Sequence, residues 1–132
     1  MSNFSVNVQV EPPFLHIAVS GDNAVETVLR YLSEMYAACV RFECPYVLLE
    51  ENLSGPSLSI EQVHGIVSSG SKHAWPVVQV VACVDLNAEH IESRMKMTET
   101  IAENNGLKIK WLATVDAAEK WLRERIAAST EK

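Results

Sequence analysis

Two carboxylates, an amide and three hydroxyls lie within ten residues of one another at Glu50, Glu51, Asn52, Ser54, Ser57 and Ser59, with Gly55 and Pro56 among them. An acid–base pair must face one space, whereas neighbouring residues of an extended chain point to opposite sides. Glu50 and Glu51 are therefore expected as solvated loop charge, not as a catalytic dyad. Any of the three serines could accept a phosphate, which would bring about two negative charges close to a helix N-terminus. Ser59 also has a competing structural role, because with Gln62 three residues on it reads as a capping box, and its hydroxyl is then used by the helix. Asp85 ends a later apolar run and is a candidate crevice residue, able to bind a ligand or to cap the following turn.

Other chemistries lack their residues. His16, His64, His73 and His90 show no metal-ligand spacing, and the three cysteines, Cys39, Cys44 and Cys83, contain no Cys-x-x-Cys pair. Cys83 sits inside an apolar run without a visible base, so it reads as an inert buried thiol. Neither Gly-x-Gly-x-x-Gly nor Gly-x-x-x-x-Gly-Lys-Ser/Thr occurs, so no cofactor and no catalytic constellation is expected. The formal charge of -6 would repel a phosphate backbone, which argues against nucleic acid. The N-terminal residues lack a leader pattern, and the longest nearly apolar stretch, Trp75 to Val84, is about half of the ~20 residues a membrane span needs. A cytoplasmic protein is expected. Trp75, ahead of Pro76, could anchor a partner, while Trp111 and Trp121 read as core or interface residues.

These residues must be positioned by elements that the hydropathy pattern marks out. Phe4, Val6, Val8 and Val10 alternate with polar neighbours, as in an edge strand. Pro12-Pro13 separates that strand from a second at Leu15 to Val19, close enough to form an antiparallel hairpin. Asn23 with Glu26 suggests a capping box for a helix whose apolar stripe is Val25, Val28, Leu29, Leu32, Tyr36, Cys39 and Val40. Tyr46 to Leu49 lacks alternation, as a strand covered on both faces would, and the loop Glu50 to Leu58 follows. A short helix runs from Ser59 to near Gly70 through Ile60, Val63, Ile66 and Val67.

Val77 to Val84 is β-branched enough for a central strand. A helix from His90 to Asn105 carries Ile91, Met95, Thr98, Ile101 and Ala102, with Asn105-Gly106 as its left-handed stop. Lys108 to Trp111 alternates again, and its outward lysines suit a sheet edge. Thr114 is the expected N-cap of a last helix facing inward through Ala118, Trp121, Leu122 and Ile126. The order ββαβαβαβα predicts one α/β domain over residues 1–132, with a mostly parallel five-stranded sheet, an N-terminal antiparallel edge strand and about four helices.

With Val47 to Pro56, Val81 to Asp85, Thr98 to Ala102, Asn105-Gly106 and Ala117 to Leu122 in these places, the chain resembles the SpoIIAA-like fold of STAS domains. More closely it resembles an uncharacterised bacterial family of small stand-alone members. The likeness covers nearly the whole chain, but its segments are mostly structural and bring no established reaction. In the anti-sigma-factor-antagonist branch, an Asp-Ser-Ser/Thr-Gly-type element is phosphorylated at a helix N-terminus. Here only Ser54-Gly55 matches, and Pro56 alters the loop, so the switch is not carried over.

The resemblance and the missing catalytic set imply a non-catalytic regulatory module that presents the loop Glu50 to Ser59 to an unknown protein partner. The alternative is a small carrier or sensor that holds an apolar or acyl ligand between sheet and helices, as the similarly folded Sec14-type lipid carriers imply. An enzyme using Asp85 and Glu50 is a further option. Apolar residues on both faces of Tyr46 to Leu49 also suggest a homodimer covering the sheet face that the crossover helices leave open.

Overall fold

The computed structural model describes residues 4–55, 58–70, 77–87 and 92–130. Strands β1 (Ser5–Glu11) and β2 (Phe14–Asp22) form an antiparallel hairpin across Pro12-Pro13, with Glu11 facing Phe14. There follow α1 (Val25–Arg41), β3 (Tyr46–Ser54), α2 (Ile60–Gly70), β4 (Val80–Asp85), α3 (Glu92–Asn104), β5 (Lys108–Trp111) and α4 (Val115–Thr130). The strands lie in sequential order β1-β2-β3-β4-β5, and every pair from β2 onward is parallel. The expected class, order and edge strands are those observed.

Strand alternation sorts the apolar residues into two layers. Ile17, Val19, Val47, Leu49, Val81 and Cys83 face α1, α2 and α3, meeting Tyr31, Met35, Val63, Ile66, Ile101 and Ala102. Phe14, Leu48, Ala82 and Val84 face the other way, onto Ala118, Leu122 and Ile126 of α4. The last helix thus covers the face opposite the three crossovers. The open sheet face invoked for a homodimer is therefore closed over β3 and β4 by the chain's own C-terminal helix.

Four expectations need correction. Strand β3 continues to Ser54, because Ala18 to Asp22 on one side and Val84 and Asp85 on the other offer it ladder partners through its polar half. Strand β4 starts at Val80, three residues later than expected. The α1 stripe is rotated: Thr27, Val28, Tyr31, Met35, Ala38 and Cys39 are buried, while Leu29 and Val40 are 43% and 50% exposed. Helix α1 also has Ala24 as its N-cap with no side-chain cap bond, in place of the Asn23–Glu26 box.

The other helix signals hold. Ser59 and Gln62 exchange bonds, Ser59 N–H to Oε1 at 2.9 Å and Gln62 N–H to Oγ at 3.1 Å. Thr114 Oγ1 accepts from Ala117 N–H at 3.1 Å. Gly106, at φ +94, turns the chain so that Leu107 N–H reaches Ala102 O at 2.9 Å, the left-handed stop expected there. Ile91 lies outside the described residues. Among the described residues, no helix is long and apolar enough to cross a membrane.

The rotated stripe is directly testable by urea unfolding. Met35→Ala should lower stability by roughly 2–5 kcal/mol, and Leu29→Ala by no more than about 0.5 kcal/mol. A larger loss from Leu29→Ala than from Met35→Ala would show that α1 packs on the face expected from periodicity.

Candidate functional site

Because β3 stays extended past Leu49, Glu50 and Glu51 emerge on opposite faces of the sheet. Glu51 points into the layer under α1 and is 8% exposed. Both of its oxygens are engaged. The Tyr31 hydroxyl, one turn before Met35 on α1, donates to Oε2 in a short bond. Cys83 Sγ donates to Oε1 at 3.2 Å. Cys83 pairs with Leu49 and Asp85 with Glu51, so the thiol reaches the carboxylate diagonally across the β3–β4 ladder. Expected as solvated charge, Glu51 is instead a buried carboxylate, tolerable there because donors replace its water.

The donors are tuned in the same sense. Burial, then the charge of Glu51, pushes the Tyr31 hydroxyl well above its ordinary pKa of 10.0. Burial first, then Glu51, and further on Asp85 and Glu99, push the Cys83 thiol well above 9.0. A nucleophilic cysteine needs the opposite surroundings, a positive field that favours thiolate. Cys83 is a proton donor held in place, which agrees with the inert reading and adds the carboxylate that the sequence did not reveal.

Around this group the strand ends are tied together. Asp85 Oδ1 accepts from Asn87 N–H at 2.9 Å, the turn cap expected as one of its two roles. Asn87 Nδ2 donates to Leu53 O at 2.7 Å, and Leu86 N–H donates to Glu51 O at 2.8 Å. From the other side, Asn23 N–H donates to Ser54 O at 2.7 Å. Asn87 is not among the residues singled out from the sequence; its place two residues after Asp85 is the signal for an Asx turn. Glu99 of α3 accepts from Trp111 N–H at 2.8 Å and fixes β5.

The remaining candidates lie apart. Glu50, on the α4 side, stands 3.4 Å from His16 Nε2, close enough to attract it but without hydrogen-bond alignment, while His16 Nδ1 is 2.9 Å from Glu11. Asn52 and Ser54 are exposed on that same face, and Ser54 Oγ donates to Gly21 O and Asp22 Oδ1, each at 3.3 Å. Gly55 follows at φ +103. Ser57 and Trp75 lie outside the described residues. Glu50 pairs with Val84, so it and Asp85 project from opposite faces of the sheet. The sequential strand order likewise removes the reversal that opens a ligand crevice in doubly wound sheets.

Under the helices, a cavity of about 70 Å³ is lined by Tyr31, Leu32, Met35, Ile66, Ala102 and Trp111, among others. A groove of about 250 Å³ opens at the opposite end of the sheet between Pro12, Pro13, Phe42, Cys44 and Tyr46. Among the described residues, no three His, Cys, Asp or Glu side chains gather as a metal site.

No protein-family model matches the chain, and no curated protein does. Among solved structures, it is similar to the crystal structure of an uncharacterised protein from the DUF3478 family, with a SpoIIAA-like fold, from Shewanella loihica PV-4. The TM-score is 0.58 at 15% identity, over 92% of this chain and 95% of that one. The fold is SpoIIAA-like.

On this SpoIIAA-like frame, α2 starts at Ile60, and the hydroxyl at its N-terminus is that of Ser59, already accepting from Gln62. Ser54 belongs to the strand end, bonded to β2, not to a helix N-terminus.

Two outcomes follow from the buried carboxylate. Tyr31→Phe removes a charge-assisted bond inside the core and should cost about 1.5–3 kcal/mol in urea unfolding; an unchanged midpoint would show that Glu51 needs no donor. The second concerns alkaline pH. A group whose pKa rises on folding keeps its proton in the native state after the unfolded chain has lost it, so stability is level below the unfolded pKa and falls above it. Cys83 and Cys39, the latter pushed up to about 12 by burial, act from 9.0 upward, and Tyr31 from 10.0. Urea midpoints should decline above about pH 9, and Cys83→Ala should flatten the slope by up to ~1.4 kcal/mol per pH unit. Parallel slopes for both proteins would contradict this.

Proposed function

We propose that the chain is a non-catalytic regulatory interaction module, a single domain acting in the cytoplasm, whose partner surface is the rim at the ends of β3 and β4. Glu50, Asn52, Ser54, Gly55 and the stretch through Ser57 to Ser59 would form one part of that surface, with Asp85 beside them. The observation that carries this reading is how the reactive groups are already engaged. Glu51 is enclosed by Tyr31 and Cys83, Asp85 caps Asn87, Glu99 holds Trp111 and Ser59 caps α2. What the rim offers outward is exposed Asn52 and Ser54 on a strand fastened from both sides. Such a surface suits recognition with little ordering cost.

The carrier alternative has a specific observation to weigh: a space lies between sheet and helices, where it would need one. At about 70 Å³ it is half the size of a 150 Å³ cavity that takes up benzene, and an acyl chain needs far more. The interaction reading is therefore preferred.

Asn52→Arg puts a long cation at an exposed rim position and should leave the melting temperature unchanged. Cross-linking in the native cell, followed by quantitative mass spectrometry, should then find a protein captured by the wild type whose yield drops about tenfold or more with the variant. If no captured protein distinguishes the two baits, the rim is not the partner surface.

A further inference from the structure

The two edges of the sheet are built differently. Strand β5 has four residues, two of them exposed lysines, Lys108 and Lys110. A short, charged edge resists pairing with other strands. Strand β1 has seven residues, Ser5–Glu11, with no charge before Glu11 and no proline. Its inner edge is used along its whole length by β2, from Ser5 against Ser20 to Glu11 against Phe14. Its side chains at Ser5, Asn7, Gln9, Val10 and Glu11 are exposed. A long edge of this kind, charged only at its last residue, is a template for another strand.

We propose that a second copy of the chain occupies this edge, with two β1 strands pairing antiparallel about a dyad at Val8 to give a ten-stranded sheet. The strand's own composition argues for that occupant. Pro12 follows Glu11 and limits the ladder, so full overlap of two such strands requires the dyad at the central residue of Ser5–Glu11, which is Val8. In that register Val8 faces Val8, Val6 faces Val10, Asn7 faces Gln9 and Ser5 faces Glu11 of the second copy.

Every pair is chemically matched. Val10, 50% exposed and the outermost valine of the stripe that Val6 and Val8 extend from the core, gains an apolar neighbour. The Asn7 and Gln9 amides can exchange hydrogen bonds. Glu11, the only charge in the strand, meets a hydroxyl rather than its own copy. The pairing is isologous and closes at two chains, leaving β5 as both outer edges. It uses the lateral edge of the sheet, one strand beyond β2, and not the ends of β3 and β4, so it does not depend on the proposed function. A seven-residue edge is a small interface, so the dimer is weak and concentration-dependent.

Sedimentation velocity of the wild-type chain, from about 5 to about 500 μM, should show a monomer moving toward a dimer as concentration rises. Asn7→Lys/Gln9→Lys sets like charges opposite each other twice across the dyad and should abolish dimerisation, without moving the thermal melt measured at low concentration. Asn7→Lys/Gln9→Glu sets opposite charges there and should restore the dimer. A wild-type chain that stays monomeric throughout would overturn the proposal. So would a dimer indifferent to the double lysine variant, which would put the contact elsewhere, or a charge-swapped variant that fails to associate, which would exclude this register.

Discussion

Strand β3 is paired on both edges for most of its length, with β2 on one side and β4 on the other, and this double pairing determines where each side chain of the central strand goes. A strand held on one edge can twist or bulge to turn an awkward residue toward water; one held on both follows its pleat. Val47, Leu49, Glu51 and Leu53 therefore go to the α1–α3 layer, and Leu48, Glu50 and Asn52 to the other face. The ladder does not release Glu51 to solvent. The layer around it supplies donors instead, and α1 rests on the face that brings the Tyr31 hydroxyl to Oε2.

The same geometry sets the chemical state of the groups around Glu51. A general base must be able to meet a substrate proton, and a catalytic thiol must be able to ionise. Glu51 is enclosed, and Tyr31 and Cys83 are driven toward their neutral forms by burial and by the same carboxylate. Such a network costs desolvation and returns geometric definition. Its effect is to fix α1, β3 and β4 relative to one another, just below a strand end that Asn23, Leu86 and Asn87 also hold.

Most of the architecture was legible in the sequence because its signals are local. The order of elements, the parallel core, the two edges and the caps at Ser59, Thr114 and Gly106 each depend on a few neighbouring residues. The errors occur where a distant residue changes the balance. Tyr31 counts as a poor core residue until Glu51 is known to lie opposite, so periodicity favoured the flank through Leu29 and Val40 over the stripe through Tyr31 and Met35. Glu50 to Ser54 looked like loop because polar residues seldom fill a central strand, yet β2 runs beside all of them and β4 beside Glu50 and Glu51. At the candidate site, the opposed faces of Glu50 and Glu51 were legible from adjacency alone. The Tyr31–Glu51–Cys83 contact was not, since it joins residues 20 and 32 positions apart.

The likeness to the Shewanella loihica protein bears on the same division between pattern and residue. At 15% identity over nearly the full length of both chains, most positions differ while the path of the backbone persists. What two such sequences can share at that distance is the alternation of strands, the spacing of helices and the stops between them, which many residue choices satisfy. A function resides in particular side chains at particular places, and those are what a fold-level likeness leaves undetermined. In this chain Glu51, Asp85 and Asn87 are taken up by packing and strand closure. The exposed residues, such as Asn52 and Ser54 where β3 ends and Asn7 and Gln9 along β1, are not held by that packing and are free to differ between proteins that share the fold.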